Sequence, residues 1–393
     1  MRRPSGERLA AVLLLLPVLA PPVRAADKDP GPLLARIKAV RGKGEGNAEA
    51  RRAWQELVRL GPDALLPTLA AMDSADTIAS NWLRSATDAI AEKAFAARSL
   101  SATDLEAFVL KRKHSGAARR IAYEWLVRLD PKAPARLLPG MLDEPGAELR
   151  RDAVTVVLDE AKALAEKGDK EKAIAAYRRA FDAARDEDQV EATAKSLKDL
   201  GVTVDLTAHY GAIRRWLLVS PFDNTGEKGY QTVYPPEKGV DPSATYKGKE
   251  GAEVRWVAHT TNDPRGVVDL NEAISKRKHT VTYAWTVIES PREQPVQIRA
   301  GCNTAIKIFL NGRLVFAREE YHHGLSMDQH IGRGTLKAGR NEVLVKVCQN
   351  NQNEPWAQDW KVMVRLCDDI GGAVPFKVVL GNGAPREKGK GGR

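Results

Sequence analysis

Cysteine and aromatic residues are scarce in this chain of 393 residues, which has three cysteines and 6% aromatics. So few cysteines exclude a small scaffold held together by disulfides. No two of Cys302, Cys348 and Cys367 have zinc-ligand spacing. One disulfide beside a free thiol is the alternative, but a hairpin of 342–349 with 360–367 would not bring Cys367 opposite Cys348. We therefore predict three unpaired, mostly buried cysteines.

Long apolar runs are also missing, except for one near the N-terminus. Met1 to Arg8 is basic, Leu9 to Ala20 is apolar, and Val23-Arg24-Ala25 has the small side chains that a signal peptidase reads. The apolar run is well short of the ~20 residues that cross a bilayer as a helix, which disfavours a retained membrane anchor. We predict a signal peptide at 1–25, an exported protein that is periplasmic or extracellular, and no membrane span in the mature chain.

An excess of one charge is absent from most of the chain. The formal charge is +10, but residues 26–209 carry 30 basic and 30 acidic groups. Part of the surplus lies in the signal peptide and part in 381–393, which we expect to be a basic disordered tail. The excess that remains is too small to indicate binding of DNA or RNA. We predict no nucleic-acid partner.

Helical periodicity extends over 49–208, after a linker and a first short helix at 26–48. Apolar residues recur every three to four positions, and the segments end at breakers such as Gly61-Pro62 and Asp130-Pro131. Three stripes show this period: Trp54, Leu57, Val58 and Leu60; Leu65, Leu66, Leu69 and Met72; and Ile121, Trp125, Leu126 and Leu129. The pattern predicts short amphipathic helices in antiparallel pairs.

These helices contain an internal repeat. The matching segments are ARRAWQELVRLGP at 50–62 with ARRIAYEWLVRLDP at 118–131, LLPTLAAM at 65–72 with LLPGMLDE at 137–144, and LRSATDAI at 83–90 with LRRDAVTV at 149–156. Such a unit buries its apolar face only by stacking on a neighbour, as in a solenoid. The pattern resembles HEAT or armadillo-like repeats, and 168–184 is similar to the second helix of a tetratricopeptide repeat. We predict an α-solenoid (HEAT/TPR-like) over 49–208, with a non-repeating helical bundle as the alternative.

A basic cluster interrupts this region without changing its zero net charge. Its members are Lys111, Arg112, Lys113, Arg119 and Arg120. We expect a solvated helix face here rather than an anion-binding site.

From Trp216 the apolar period changes to two. Five segments alternate or run apolar and are rich in β-branched and aromatic residues: 281–288, 296–302, 305–312, 342–348 and 360–367. Asn311-Gly312 predicts a type I′ hairpin turn, and 337–341 predicts the turn into the next strand. Because no helical period separates the strands, we predict an antiparallel β-sandwich over 210–380.

The strand half also carries an ordered set of motifs. They are WLLVSPFDN at 216–224, GCNTAIKIFLNGRLVF at 301–316, LKAGRNEVLVKVCQN at 336–350 and W-x-x-x-W-x-V-x-V-R-L from Trp356. This order resembles a galactose-binding-like jelly roll, related to PA14-like sandwiches. The resemblance implies that the sandwich occurs in the same chain as helical repeats, as it does in exported proteins of planctomycete-type bacteria. The fold class that we predict is therefore multidomain, an α-solenoid followed by a jelly roll.

The same resemblance raises the question of calcium. PA14-like sandwiches often carry Asp-Asp before the NG hairpin, where the carboxylates hold Ca²⁺ that grips sugar hydroxyls. At the matching place this chain has Asn303-Thr304. Losing both charges removes most of the attraction for a hard cation. We predict no cofactor, with calcium-dependent sugar binding as the disfavoured alternative.

The loop NQNEPWAQDW at 351–360, with the residue before it, combines aromatic faces and planar amides. Such chemistry suits stacking on a sugar ring while the ring hydroxyls are hydrogen-bonded. The candidate ligand-binding residues are Trp356, Trp360, Asp359, Asn350 and Asn353, with Gln352 beside them. The alternative is that both indoles cap the core of the sandwich.

One segment has the composition of a metal site. It contains Glu319, Glu320, Tyr321, His322 and His323, with Asp328 and His330 nearby. Adjacent residues of a strand point to opposite faces, so His322 and His323 share a metal only in an irregular loop. We expect an ordinary polar loop and no metal, with His322, His323 and His330 as the candidates if one binds.

No catalytic motif stands out, since G-x-S-x-G, H-E-x-x-H, the P-loop and the kinase set are all missing. We predict an exported non-catalytic interaction or scaffold protein. Its helical repeats would dock a protein partner, and its jelly roll would bind a glycan or another cell-envelope ligand. One alternative is a glycosidase-like hydrolase, or its accessory subunit, with a site at the domain junction. Another is a purely structural envelope component with Trp356 and Trp360 buried and no ligand.

Overall fold

The computed structural model describes residues 29–380, in which helices precede antiparallel sheets. The predicted signal peptide (1–25) and basic tail (381–393) lie outside the described residues. The helices before the first strand are α1 (Gly31–Lys38), α2 (Asn47–Leu60), α3 (Leu65–Ala71), α4 (Thr77–Ala96), α5 (Ala102–Leu110), α6 (Gly116–Leu129), α7 (Ala133–Leu137), α8 (Ala147–Glu166), α9 (Lys170–Ala183), α10 (Glu187–Asp199) and α11 (Leu206–Tyr210).

Side-chain caps begin several of these helices where the sequence offers a short polar residue. Asp76 accepts a hydrogen bond from the Ala79 N–H at the start of α4, and Ser115 accepts one from the Ala118 N–H at the start of α6. Each bond satisfies one of the amide groups that the first turn of a helix leaves without a partner. The breakers also act as predicted, since α2 ends at Leu60 before Gly61-Pro62.

The repeated sequence segments occupy corresponding helices. The first pair of segments falls on α2 and α6, which both have 14 residues, and the third pair falls on α4 and α8, which both have 20 residues. The second pair is placed differently, because 65–72 covers α3 whereas 137–144 starts at Leu137, the last residue of α7. The first and third pairs of repeated segments are therefore matched by helices of equal length, and the second pair is not.

The basic cluster at 111–120 does not form a continuous surface. Lys111, Arg112 and Lys113 are exposed between α5 and α6, as expected of a solvated face. Arg119 is only 1% exposed, and its Nε donates to the Val109 carbonyl at 2.6 Å. The prediction of a solvated face was therefore wrong for Arg119, because helix α6 turns it toward the protein interior.

Two compact units divide the chain, the first ending at Asp130 and the second beginning at Pro131. The second unit contains α7 to α11 as well as every described strand. The boundary between the compact units therefore lies well before the change from helices to strands near residue 209. Within this unit α9 packs between α8 and α10, and its buried face carries the small residues Ala176 and Ala180.

The strands and short helices that follow lie over 215–378. They are β1 (Arg215–Asp223), α12 (Pro235–Lys238), β2 (Thr245–Lys247), β3 (Glu253–Arg255), β4 (Val257–Thr260), β5 (Val268–Asp269), α13 (Leu270–Ala273), β6 (Thr280–Ser290), β7 (Gln294–Cys302), β8 (Ala305–Leu310), β9 (Arg313–Arg318), β10 (His330–Leu336), β11 (Gly339–Gln349), β12 (Lys361–Cys367) and β13 (Lys377–Val378). All five predicted strand segments are confirmed.

Two antiparallel sheets and a small β2-β3 pair make up this region. The larger sheet has the order β4-β1-β6-β11-β8-β9, with β13 also paired to β6, and the smaller sheet has the order β10-β7-β12-β5. The hairpin of 342–349 with 360–367 considered above does not exist, because β11 and β12 belong to different sheets. The two sheets enclose one core, to which β11 contributes Val343, Val345 and Val347 and β12 contributes Val362 and Val364.

The opposite face of the larger sheet is buried as well. The segment 224–256 crosses it, and its Tyr230 and Trp256 pack on Tyr283 of β6 and Leu344 of β11. Strand β6 is therefore buried on both faces, which explains why its sequence VTYAWTVI runs almost continuously apolar.

The Asn311-Gly312 hairpin has the backbone that the sequence predicts. Both residues have positive φ, 52° and 78°, as a type I′ turn requires, and Leu310 pairs with Arg313 across it. Asn341 closes the next turn, because its Nδ2 donates to the Lys337 and Gly339 carbonyls at 2.8 and 2.9 Å.

The three cysteines are free and buried. Burial raises the pKa of Cys302 to about 11, that of Cys348 to about 12 and that of Cys367 to about 11. All three side chains therefore remain thiols at neutral pH and pack as small apolar groups.

Within residues 29–380, none of the helices combines the length and the apolar character that crossing a membrane requires.

His209 is expected to make the stability of the second unit depend on pH. It lies against the Phe181 ring (centroids 4.1 Å apart), and its Nε2 lies 3.0 Å from the Ala184 carbonyl. Burial, reinforced by the charge of Arg185, lowers its pKa from 6.5 to about 4. Between these values the unfolded chain binds the proton and the folded chain does not, so acidification favours unfolding. We expect the free energy of unfolding to fall by up to about 3 kcal/mol as the pH drops from 6.5 to 4.

Urea unfolding of the wild type and of His209→Gln at several pH values measures this effect. Glutamine retains an amide donor for the Ala184 carbonyl but does not titrate. The stability curve of the variant should be flatter below pH 6.5, while other titrating groups contribute equally to both proteins. Parallel curves would show that His209 has no part in the acid response.

Candidate functional site

Three segments meet at one end of the β-sandwich. They are the chain after β1, the β9–β10 loop and the β11–β12 loop. Backbone bonds join two of them to the residue before β6: the Asn224 N–H donates to the His279 carbonyl, and the His279 N–H donates to the Asn350 carbonyl, both at 2.9 Å. The sheet thus brings together side chains that lie more than a hundred residues apart in the sequence.

Asn350 is the centre of a polar network at this end and is only 3% exposed. Its Oδ1 accepts from His322 Nε2 at 2.5 Å and from the Gln352 N–H at 3.1 Å. Its Nδ2 donates to Glu227 Oε1 at 3.0 Å and to Gln352 Oε1 at 3.1 Å. Both donors and both lone pairs of the amide are used within the protein. The prediction that Asn350 contacts a ligand is therefore corrected: Asn350 positions His322 and Glu227.

Strained backbone surrounds this network. Glu227, His279 and His322 have positive φ angles of 63°, 51° and 55°. Residues other than glycine adopt this region at a cost of order 1 kcal/mol or more, and they do so mainly where surrounding contacts impose it. The hydrogen bonds that join Asn350 to Glu227 and His322 are contacts that impose such angles. They therefore hold the side chains of the network in fixed positions.

Trp356 lies on the surface beside this network. Its side chain is 62% exposed, and its ring meets the His322 ring edge-on at a centroid distance of 5.8 Å. The β11–β12 loop that carries Trp356 is fixed by Lys278, whose Nζ donates to the Ala357 carbonyl at 2.7 Å. Gln358 Nε2 closes the loop on the Asn353 carbonyl at 2.7 Å. An exposed indole face thus lies beside ordered polar groups.

The protonation state of His322 follows from its surroundings. Burial lowers its pKa, and Lys278 acts in the same direction, while the hydrogen bond to Asn350 opposes them. The ring is therefore neutral at pH 7, with the proton on Nε2, where it is donated to Asn350, and a lone pair on Nδ1.

The other candidate residues of this loop lie apart from the network. Trp360 is 0% exposed and belongs to the core between the sheets, so it has no face for a ligand and its prediction as a binding residue was wrong. Asp359 is exposed and forms an ion pair with Lys361 at 3.1 Å. Asn353 is exposed, and its backbone carbonyl accepts the bond from Gln358.

A cleft of about 670 Å³ adjoins the network. Ser220, Lys249, Lys278 and Thr280 line it, and Lys278 also supports the Trp356 loop. Lys249 Nζ donates to the His279 carbonyl at 3.1 Å, so the cleft and the polar network share the chain before β6.

The metal candidates separate into two groups. His322 turns toward Asn350, whereas the His323 and His330 rings lie edge-on to each other, with their planes at 89° and their centroids 5.8 Å apart. Among the described residues, no three His, Cys, Asp or Glu side chains converge as metal ligands. Asn303 is buried, and its side chain binds two backbone groups. Its Oδ1 accepts from the Lys361 N–H at 3.0 Å, and its Nδ2 donates to the His323 carbonyl at 3.2 Å.

The carboxylates with perturbed pKa values do not support acid–base catalysis. In residues 29–380 they are Asp169, Asp188, Asp241, Glu320 and Asp328, and each pKa is lowered. Side-chain hydrogen bonds from neighbours are the main cause at the first four. At Asp328 burial is the largest single influence and raises the pKa, but the hydrogen bonds and charges of Arg365 and Arg299 together outweigh it. A general acid needs a raised pKa, so none of these five residues supports the hydrolase alternative.

Comparison with known proteins gives distant likenesses. No protein-family model matches the chain, and no curated protein is detectably similar to it. An anti-sigma factor domain-containing protein aligns with 12% identity and a TM-score of 0.22 over 30% of this chain and 40% of its own. The β-glucosidase of Kluyveromyces marxianus aligns with 12% identity and a TM-score of 0.25 over 44% and 21%. The β-glucuronidase of Ruminococcus gnavus aligns with 11% identity and a TM-score of 0.23 over 40% and 29%. The chain thus spans well under half of each of these proteins, and likenesses this weak carry no functional argument.

Sequence reasoning missed two residues of the polar network around Asn350. Glu227 lies in a turn whose sequence, TGEKGY, reads as an ordinary surface loop. His322 was considered only as a metal ligand. No local motif marks either residue, because the sheet alone brings them to Asn350.

Proposed function

We propose that the chain is an exported, non-catalytic interaction protein whose β-sandwich, a jelly roll of the galactose-binding-like kind, binds a glycan or another cell-envelope polymer. The observation that carries this proposal is Trp356, an exposed indole beside the network of His322, Asn350 and Glu227. A purely structural role would leave Trp356 buried like Trp360. Its 62% exposure favours a ligand.

The site suits a pyranose ring because it joins an apolar face to fixed polar atoms. The C–H face of the sugar would stack on the Trp356 indole. His322 Nδ1 would accept a hydrogen bond from one hydroxyl. Glu227 is exposed and uses Oε1 for Asn350, so its Oε2 would accept from a second hydroxyl. The strained backbone holds these acceptors in place before the sugar arrives, which reduces the entropy that binding loses.

We propose further that the helices form a HEAT/TPR-like solenoid that docks a protein partner. The match of repeated segments with helices of equal length supports this part of the proposal. Stacked repeats offer extended surfaces for protein partners.

The test of the glycan function is a glycan array probed with the full mature chain, with and without Ca²⁺, followed by titration of the best ligand. Trp356→Ala should weaken binding by roughly 2 kcal/mol, about thirtyfold, because the stacking face is lost. Leu110→Ala is the matched control, since it removes an exposed apolar side chain (55% exposed) from the helical region and should bind as the wild type does.

A second variant tests the polar network. Glu227→Gln keeps the oxygen that accepts from Asn350 but removes the charge, so it should weaken sugar binding less than Trp356→Ala does. If the folded wild type binds no glycan, the sugar function fails. If it binds and Trp356→Ala binds equally well, the site has been placed on the wrong loop.

A further inference from the structure

The cleft of about 670 Å³ beside the Trp356 loop carries positive charges that the proposed sugar site does not use. Its basic side chains are Lys249, Arg277 and Lys278. Arg277 is exposed and Lys278 is partly buried, and both belong to the run KRKH at 276–279, directly before β6. The buried strand therefore anchors the backbone that carries these two cations. The volume is in the range of ~300–1,000 Å³ that is usual for ligand sites.

Lys278 connects this cleft with the proposed sugar site. Its Nζ donates to the carbonyl of Ala357, the residue after Trp356, at 2.7 Å. Its charge also acts on His322, whose pKa it helps to lower. One hydrogen bond leaves two of the three ammonium protons for a ligand. A sugar that stacks on the Trp356 indole would therefore lie beside a positive charge.

Other charges of the cleft are already paired. Lys249 Nζ lies 3.8 Å from Asp223 Oδ1, and Glu253 lies 3.7 Å from Arg255. Glu250 is exposed in the turn 249–251 and is the carboxylate of the cleft that forms no ion pair with residues 29–380. These pairs contribute little net charge to the cleft.

Arg277 and Lys278 have no close counter-ion. Arg277 Nε donates to Ser275 Oγ at 2.8 Å, and no carboxylate in the described part of the chain lies within ion-pair distance of either side chain. Burial lowers the pKa of Lys278, and the more distant charge of Glu354 opposes that change only in part. Two cations therefore line the cleft against the single charge of Glu250. A negatively charged ligand would recover part of the energy that burying an unpaired ammonium costs.

We propose that the glycan bound at Trp356 is acidic, with a carboxylate or sulfate group that lies in the cleft next to Lys278 and Arg277. This inference rests on the proposed glycan function and narrows its class of ligand. Lys278 would donate a charge-assisted hydrogen bond, and the planar guanidinium of Arg277 can hold two oxygens of the same group. Carboxylate and sulfate share the charge and the acceptor oxygens that such a site recognises.

The test extends the glycan array with pairs of polymers that differ in charge alone. Polygalacturonate with its methyl ester tests the carboxylate, and dextran sulfate with dextran tests the sulfate. The full mature chain is titrated with both members of each pair at about 0.15 M salt, which screens long-range attraction. We expect the charged member of at least one pair to bind about tenfold more tightly than the neutral member, as two added ion contacts allow.

Two variants locate the charge in the cleft. Arg277→Gln should reduce the preference for the charged member by about threefold, and Arg277→Gln combined with Lys278→Gln by about tenfold, so that little preference remains. Lys93→Gln combined with Lys167→Gln is the matched control. It removes two charges from exposed positions in the helical region and should keep the preference of the wild type.

A neutral glycan bound as tightly as its acidic counterpart in every pair would overturn the inference and leave the glycan function intact. A preference that survives in the double cleft variant, or falls equally in the control, would also overturn it, because the preference would then come from the +10 charge of the whole chain. If the double cleft variant does not fold, Arg277→Gln decides, since Arg277 is exposed. If the folded wild type binds neither neutral nor acidic glycans, the glycan function and this inference both fail.

Discussion

Replacing Lys346 with methionine is expected to lower the free energy of unfolding by about 3–5 kcal/mol. The Lys346 side chain is 0% exposed, and its three ammonium protons reach the Tyr230 carbonyl at 3.1 Å, the Thr232 carbonyl at 2.7 Å and Glu237 Oε1 at 2.9 Å. Tyr283 donates a further hydrogen bond to the same carboxylate at 2.5 Å. Removing the ammonium leaves the buried Glu237 charge without its counter-ion and two carbonyls without a donor.

The contacts of Lys346 attach the segment 224–256 to the larger sheet. Tyr230, Thr232 and Glu237 belong to this segment, whereas Lys346 belongs to β11. Burial lowers the pKa of Lys346, and the hydrogen bond and charge of Glu237 act against that change. The attraction of Glu237 therefore offsets part of the cost of burying the Lys346 ammonium. In the methionine variant, limited proteolysis should cut first within 224–256.

Guanidinium chloride unfolding measures the loss, with two controls that separate charge from packing. Lys307→Met makes the same substitution at the residue paired with Lys346 on β8, which has no carboxylate partner within residues 29–380, and should cost less than about 1 kcal/mol. Lys346→Met combined with Glu237→Gln should be more stable than Lys346→Met alone, because the uncompensated charge is gone. A single variant as stable as the Lys307 control would refute the structural role of the ion pair.

Lys346 also shows where sequence reasoning stops in predicting the fold. The alternation in EVLVKVC correctly places Val343, Val345 and Val347 in the core, and the same rule assigns Lys346 to a solvent face. In the structure that face is covered by a segment more than a hundred residues earlier in the chain. Local patterns predict strands, turns and the repeated helices, since these depend on neighbours in sequence. They cannot predict which distant segment covers a sheet.

The candidate site, like the fold, could be predicted from the sequence only in part. Composition alone marked the loop around Trp356, because an aromatic residue among amides has a recognisable chemistry. Glu227 and His322 reach Asn350 only through strand order and through backbone angles that their residue types rarely adopt. The segment 319–330 was predicted to be an ordinary polar loop. The structure separates its histidines, because His322 joins the polar network and the other two rings lie edge-on to each other.

Trp360→Ala is expected to cost about 3–5 kcal/mol of stability, whereas Trp356→Ala should cost less than about 0.5 kcal/mol. The two indoles are four residues apart, yet Trp360 lies in the core with 0% exposure and Trp356 lies on the surface with 62% exposure. Denaturant unfolding of both variants under identical conditions measures the difference. Equal losses would mean that the loop 351–360 is packed differently from the structure described here.

Trp360→Phe refines this prediction. The indole Nε1 of Trp360 is buried and has no hydrogen-bond partner among the described residues. Phenylalanine fills most of the same space and removes this unsatisfied donor, so the free energy lost through the smaller volume is partly recovered. We therefore expect Trp360→Phe to lose less than half as much stability as Trp360→Ala. A phenylalanine variant as unstable as the alanine variant would show that the indole nitrogen binds a partner, which would make Trp360 a polar anchor of the loop as well as a core residue.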